Sequence, residues 1–192
     1  MAIEVFNRYE KKYIMDEDTF HKLTYQIADY MNPDAYNRNG EAYRISNIYY
    51  DTENDQFIRA SIEKPVYKEK LRLRAYGTPE LTDNVFVEIK KKYNGIVNKR
   101  RTSMTLHEAY DFIDDDMCPD GHEGRINRQV LKEIDYFKNF YHLQPKVYLS
   151  YDRFAYFEKD DGDFRITFDK NITTRREDVR LEHGSYGKKL LL

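Results

Sequence analysis

Tryptophan is absent from the 192 residues, and cysteine occurs once, at Cys118. A lone thiol excludes an intrachain disulfide and any zinc centre built on several cysteines, and it fits a reducing compartment. Glycine and proline are scarce, at 8 and 5 residues, which excludes collagen-like and low-complexity architectures. No apolar run approaches the length of about 18 residues that a spanning helix needs, and Met1-Ala2-Ile3-Glu4 is too polar to open a secretory signal. A cytoplasmic location is the expectation. Charge of one sign is lacking too: 32 Lys and Arg meet 34 Asp and Glu, for a formal net charge of -2. Such a balance gives no global attraction for nucleic acid or an anionic membrane.

What the chain has is aromatic mass and segregated charge. Tyr and Phe number 18 and 11, a usage that suits sheets with wide, half-polar surfaces. Between Lys64 and Arg101 there are eleven Lys or Arg and four acids, whereas Thr102 to Gly124 holds seven acids and no Lys or Arg. Positive charge is concentrated in the middle and followed by an acidic stretch that reads as a solvated face.

The pattern along the chain predicts strands interrupted by helices. Val5 to Met15 mixes bulky and charged residues, and Arg8, Glu10 and Lys12 share a face if it is extended. Asp16 can cap a helix whose stripe is Phe20, Leu23, Ile27 and Met31, ended by Asn32-Pro33-Asp34. Tyr43 to Asp51 reads as a strand, with a turn at Thr52 to Asn54. In Val66 to Tyr76, Lys68, Lys70, Arg72 and Arg74 alternate with Leu71, Leu73 and Ala75. In Val85 to Lys92, Phe86, Glu88, Lys90 and Lys92 alternate with Val85, Val87 and Ile89. Asn94-Gly95 is a hairpin turn returning into Asn98 to Met104. Thr105 and Glu108 form a capping box for a helix to Ile113, and a polar loop runs from Asp114 to Gly124. Ile126 to His142 is a longer helix with Ile126, Val130, Ile134, Phe137 and Tyr141 as its buried stripe, ended by Pro145. Strands at Lys146 to Phe157 and Asp163 to Phe168 flank the turn Asp160-Asp161-Gly162.

With no long linker or repeat, the expectation is one α+β domain over 1–192. One charged strand face is ordinary solvent-facing surface. When Lys68, Lys70, Arg72, Arg74, Glu88, Lys90, Arg101 and Arg165 all fall on strands, a single closed sheet could turn them together into a wet, cationic interior suited to a polyanion.

Several blocks carry a resemblance: Arg8-Tyr9-Glu10-Lys11-Lys12-Tyr13, Asn47 to Thr52, Lys68 to Gly77, Val85 to Lys92, Val97 to Arg101, Ser150-Tyr151-Asp152-Arg153 and Arg165 to Asp169. In order and spacing they resemble the VTC domain in its bacterial form, the catalytic domain of the vacuolar transporter chaperone polyphosphate polymerase. The resemblance implies a triphosphate tunnel metalloenzyme of the CYTH-like superfamily, an antiparallel β-barrel tunnel with flanking helices. It implies ATP and inorganic polyphosphate as partners, with the γ-phosphate of ATP passed to a growing chain, and Mg²⁺ or Mn²⁺ as cofactor. Carried over residue by residue, Lys12, Arg72, Arg74, Lys90, Arg101 and Arg165 cradle phosphates. Glu10, Glu88 and Asp169 organise the metal or the basic groups, and Arg59, Lys70, Arg100, Arg153 and Arg176 are further phosphate candidates. Alternatives from other classes are an inorganic triphosphatase and a non-catalytic polyphosphate- or nucleotide-binding module.

Two departures accompany the resemblance. Arg8-x-Glu10-x-Lys12 stands where the superfamily often has Glu-x-Glu-x-Lys. A later block ending in Glu-Ile-Lys, with the principal metal carboxylate, and a last strand containing Ser-Lys do not occur before Leu192, so a C-terminally truncated tunnel is expected. Other motifs are bland. Gly184-Ser185-Tyr186-Gly187-Lys188 lacks the length of a P-loop, the five histidines are scattered, and the acidic loop around Cys118 disfavours a thiolate.

Overall fold

The computed structural model describes residues 5–8 as backbone, together with residues 10–37, 39–119, 126–160 and 164–190. In chain order the elements are β1 (Val5–Arg8), α1 (Glu17–Ile27), β2 (Met31–Pro33), a 3₁₀ turn (Ala35–Asn37), β3 (Tyr43–Asp51) and α2 (Gln56–Ile62). Next come β4 (Tyr67–Tyr76), β5 (Asn84–Tyr93), β6 (Ile96–Thr105), α3 (Leu106–Asp114) and α4 (Arg128–Tyr141). The last are β7 (Gln144–Glu158), β8 (Arg165–Arg175) and β9 (Lys188–Lys189).

One antiparallel sheet runs in the order β1-β6-β5-β4-β3-β7-β8-β9, with β2 added beside β7. The expected closed barrel is therefore corrected to an open sheet. Closure needs a ladder between the two edges, and among the described residues none joins β1 to β9. Among the described residues, β1 pairs four residues with β6, and β9 pairs two with β8.

Strand alternation sorts the sheet into an apolar and a polar face. Leu71, Leu73 and Ala75 of β4 and Val85, Val87 and Ile89 of β5 are buried with Leu106, Ala109, Ile113, Val130 and Ile134 of α3 and α4. Phe20, Leu23 and Ile27 of α1 make a second cluster against Phe154 and Phe168 on the same side of β7 and β8. The register between β5 and β6 is set by Asn94-Gly95, where φ of 44° and 87° gives the left-handed pair a two-residue hairpin requires.

Local signals place the helices. Asp16 accepts from the Thr19 amide at 2.7 Å, and Thr105 and Glu108 form the expected capping box. Asn127 caps α4 by accepting from Gln129 and Val130, and the helix ends at His142 in the left-handed region. Pro145 lies not at that end but inside β7, at the register shift beside Tyr50, where a ladder donor is dispensable. α1 ends at Ile27, and Met31 begins β2 instead of the helix's last turn. α2 was not expected. Asp51 nucleates it by accepting from the amides of Thr52, Phe57 and Ile58. β8 runs past Phe168 to Arg175 through an irregularity where Asn171 adopts φ 53°.

Candidate functional site

Cross-strand partners share a face, so the register arranges the polar side of the sheet in rows. One row reads Arg101–Glu88–Arg72–Tyr49 from β6 to β3. On one side of it lies Ser103–Phe86–Arg74–Asn47, and on the other Lys99–Lys90–Lys70. Lys92 and Lys68 follow at the far end, and β7 and β8 continue the near end with Tyr151, Arg153, Asp169 and Arg165.

Glu88 is the centre. Its side chain is 0% exposed, with Oε2 accepting from Arg72 at 2.6 Å and lying 3.9 Å from Arg74 Nε, and Oε1 is 3.4 Å from Lys99 Nζ. Burial pushes this carboxyl up, but the charges of Arg72, Arg74 and Lys99 outweigh it and hold the pKa at about 2. Arg72 also donates to the Tyr49 hydroxyl at 3.3 Å, and Arg74 to Asn47 Oδ1 at 3.0 Å and the Tyr151 hydroxyl at 3.1 Å. Both guanidinium groups are thus fixed in advance of any ligand.

The lysine row is held against its own repulsion. Directly opposed like charges destabilise a sheet, and carboxylates offset part of this: Lys90 contacts Glu10 at 2.8 Å and Lys99 contacts Glu88 at 3.4 Å. Burial pushes Lys99 down to about 8, with Glu88 opposing and Arg101, Arg72 and Arg74 adding. Lys70 is also lowered, by burial first and then by Lys68, Lys12 and Lys90 against Tyr49.

The sequence-derived residues divide as follows. Arg72, Arg74, Lys90, Arg101, Lys70 and Glu88 come together on this face. Arg153 and Asp169 join it as a bidentate pair at 2.7 and 2.8 Å, and Arg165 lies 3.6 Å from Asp34 with its guanidinium over Phe157. Glu10 and Lys12 follow β1 outside any strand, and Lys12 is exposed, 3.7 Å from Glu10. The Arg8 side chain, which was to share their face, lies outside the described residues, as does Asp161-Gly162.

Arg100 points the other way. It pairs with Ile89, and its guanidinium meets Glu133 of α4 at 2.6 Å on the helix side. Arg59 sits exposed on α2, donating to the Asn54 carbonyl, and Arg176 follows β8 in an ion pair with Asp55 at 3.0 Å. Neither is on a strand of the polar face. Sequence reasoning missed Lys99, although the alternation that selects Arg101 also selects residue 99. Asn47, Tyr49 and Tyr151, which orient the arginines, left no signal beyond membership of Tyr-rich strands.

The three carboxylates proposed for a metal do not fit one. Glu88 is enclosed by three cations, Glu10 is held by Lys90 and Lys12, and both oxygens of Asp169 accept from Arg153. A divalent cation favours oxygen donors without adjacent ammonium or guanidinium charge, and among the described residues no group of three or more Asp, Glu, His or Cys could hold one. A cavity of about 220 Å³ opens beyond Lys70, lined by Tyr49, Phe57, Ile58, Lys146, Val147 and Leu149 among others.

Comparison with known proteins supplies the frame for this geometry. The sequence model of the VTC domain matches residues 7–191. Subunit 4 of the vacuolar transporter chaperone complex of Schizosaccharomyces pombe is 27% identical over 209 residues, which take in 96% of this chain and 28% of that protein. The chain therefore spans little more than a quarter of that relative's length. Two solved structures described as candidate adenylate cyclases are similar more distantly. The one from Bacillus halodurans has a TM-score of 0.46 at 16% identity, covering 87% of this chain and 80% of its own. The one from Vibrio parahaemolyticus has 0.40 at 14%, covering 88% and 70%. No helix among the described residues is long and apolar enough to cross a membrane.

Proposed function

Because the chain belongs to the VTC domain family, we propose that its polar sheet face binds the phosphates of ATP and of inorganic polyphosphate and transfers the γ-phosphate of ATP to the end of the polyphosphate chain. The observation that carries this reading is the set of cationic rows around Glu88, in which Arg72 and Arg74 are oriented by Tyr49, Asn47 and Tyr151 and Lys99, Lys90 and Lys70 stand opposite one another on adjacent strands.

Phosphoryl transfer asks the protein for position and for fixed positive charge around the equatorial oxygens. A terminal oxygen of the bound polyphosphate attacks the γ-phosphorus in line, the bond from that phosphorus to the β–γ bridging oxygen breaks, and ADP leaves. The attacking oxygen is already anionic, so no side chain need remove a proton. Arg72, Arg74 and Arg101 offer planar donor pairs, while the lysines supply point charges that can follow a moving phosphate. Glu88 keeps the two guanidinium groups in place without meeting substrate. Mg²⁺ or Mn²⁺ belongs to this reading as a companion of the nucleotide's own phosphates.

The test is incubation of the purified chain with ATP, a divalent metal and a short polyphosphate primer, following ADP and polymer length. Lengthening polymer with stoichiometric ADP is expected. Free phosphate in place of polymer would assign a triphosphatase, and tight polyphosphate binding without ATP consumption would assign a binding module; either overturns the polymerase.

A further inference from the structure

At the arginine end of the polar face stands a group of aromatic side chains that the phosphate chemistry does not use. Tyr36 and Tyr76 lie nearly parallel, 13° apart with centroids separated by 6.0 Å, and Tyr43 is 5.6 Å from the first and 6.0 Å from the second. Phe86 meets Tyr76 edge-on at 6.0 Å, and the Arg101 guanidinium lies 4.5 Å over the Phe86 ring. Packing does not explain the group, because Tyr36 is 72% exposed and Tyr76 46%. Rings that give little burial yet are held in place form a surface prepared for a flat partner.

They are held in place from below. Asn37, next to Tyr36 in the 3₁₀ turn, is buried, donates to the carbonyls of Glu41 and Arg153, and accepts from the Ala155 amide at 2.8 Å. The Tyr36 amide donates to Asp34 Oδ1, and the Asp34 amide donates to the Ala155 carbonyl. The turn is therefore tied to β7 by several bonds, and little ordering remains for a ligand to impose.

We infer that Tyr36, Tyr43, Tyr76 and Phe86 form a stacking platform for the base of a nucleoside triphosphate, whose phosphates then run from Arg74 and Arg101 toward the lysine row. This deepens the proposed function and rests on its reading of the cationic face as a phosphate site. Phe86 is the cross-strand partner of Arg74, so the platform and the first phosphate contacts are adjacent. Successive rows lie two residues apart along a strand, about 7 Å, a step that the ribose and first phosphate of a nucleotide can span. The orientation also leaves the lysine end for polyphosphate. A π surface accepts any base, so purines should bind better than pyrimidines by stacking area, with weak discrimination within each class.

Calorimetric titration with ATP and, separately, with inorganic tripolyphosphate tests this on the wild-type chain and on the double variant Tyr36→Ala, Tyr76→Ala. ATP affinity should fall at least about tenfold while tripolyphosphate affinity stays unchanged, and Tyr36→Phe, Tyr76→Phe should bind ATP like the wild type. The cavity beyond Lys70 is the competing place for a base, so Ile58→Ala should leave ATP binding intact. Unchanged ATP affinity in the double alanine variant, a parallel loss of tripolyphosphate, or selective loss of ATP in Ile58→Ala would overturn the platform. Absence of tripolyphosphate binding in the wild type would overturn the phosphate reading beneath it, a result separable from the others.

Discussion

Replacing Glu88 by Gln keeps the shape of the side chain and removes the charge around which Arg72, Arg74 and Lys99 are assembled. Two routes give the size of the effect. A carboxyl held at about 2 against an ordinary 4.5 stabilises the fold at neutral pH by about 3 kcal/mol. Breaking a buried ion pair from one side costs about 3 to 5 kcal/mol. For a chain of this length the drop in melting temperature at pH 7 is roughly 6 to 20 °C. Because the folded pKa lies below the ordinary one, the contribution is complete above pH 4.5 and drains away toward pH 2. The wild-type and variant melting curves should therefore converge over that window. Tripolyphosphate should raise the variant's melting temperature more than the wild type's, since a bound anion replaces the lost carboxylate. Differential scanning fluorimetry across pH, with and without tripolyphosphate, reads all three quantities. A variant that melts within about 2 °C of the wild type at pH 7, or gains no more than it from tripolyphosphate, would refute the role given to Glu88.

Three further outcomes are expected. Arg101→Ala should lower turnover at least about tenfold, the scale of one charge-assisted contact, while leaving the melting temperature nearly unchanged; full turnover in a steady-state assay would remove Arg101 from the site. Lys99, with a pKa near 8, is charged below that value and neutral above it. Wild-type affinity for tripolyphosphate, expressed relative to Lys99→Arg, should accordingly fall roughly tenfold between pH 7 and pH 9, and a pH-independent ratio would show that Lys99 does not titrate against the ligand. Asn37→Ala breaks three hydrogen bonds at a site only 2% exposed and should destabilise by about 2 kcal/mol, seen as a lower urea midpoint with an unchanged slope; an unmoved midpoint would mean the turn does not depend on it.

The arginines and lysines of β4 and β5 were legible because a two-residue period admits one arrangement only, and the apolar half of each strand confirms which side is buried. β6 was harder. Lys99-Arg100-Arg101 reads as one basic block, yet the pleat sends its middle member to Glu133 of α4 and the outer two to the polar face. α2 gave no signal since it has seven residues and none of them is buried, its start being dictated by Asp51, a residue already assigned to a strand. The expected strand stopped at Phe168, whereas β8 runs on through Asp169-Lys170-Asn171 to Arg175, with Asn171 at a positive φ. Closure was the largest error. Face polarity reports which side of a strand is wet, and it carries no information about whether two edges meet.

The turn at Asn94-Gly95 has a reach well beyond its two residues. Lengthening it by one would shift every residue of β6 by half a pleat, sliding Lys99 and Arg101 under α4 and bringing Arg100 out to stand beside Glu88. The apolar and the polar face of β6 thus share this one point of mechanical alignment, so this stretch should accept exchanges of residue type far more readily than any change in its length.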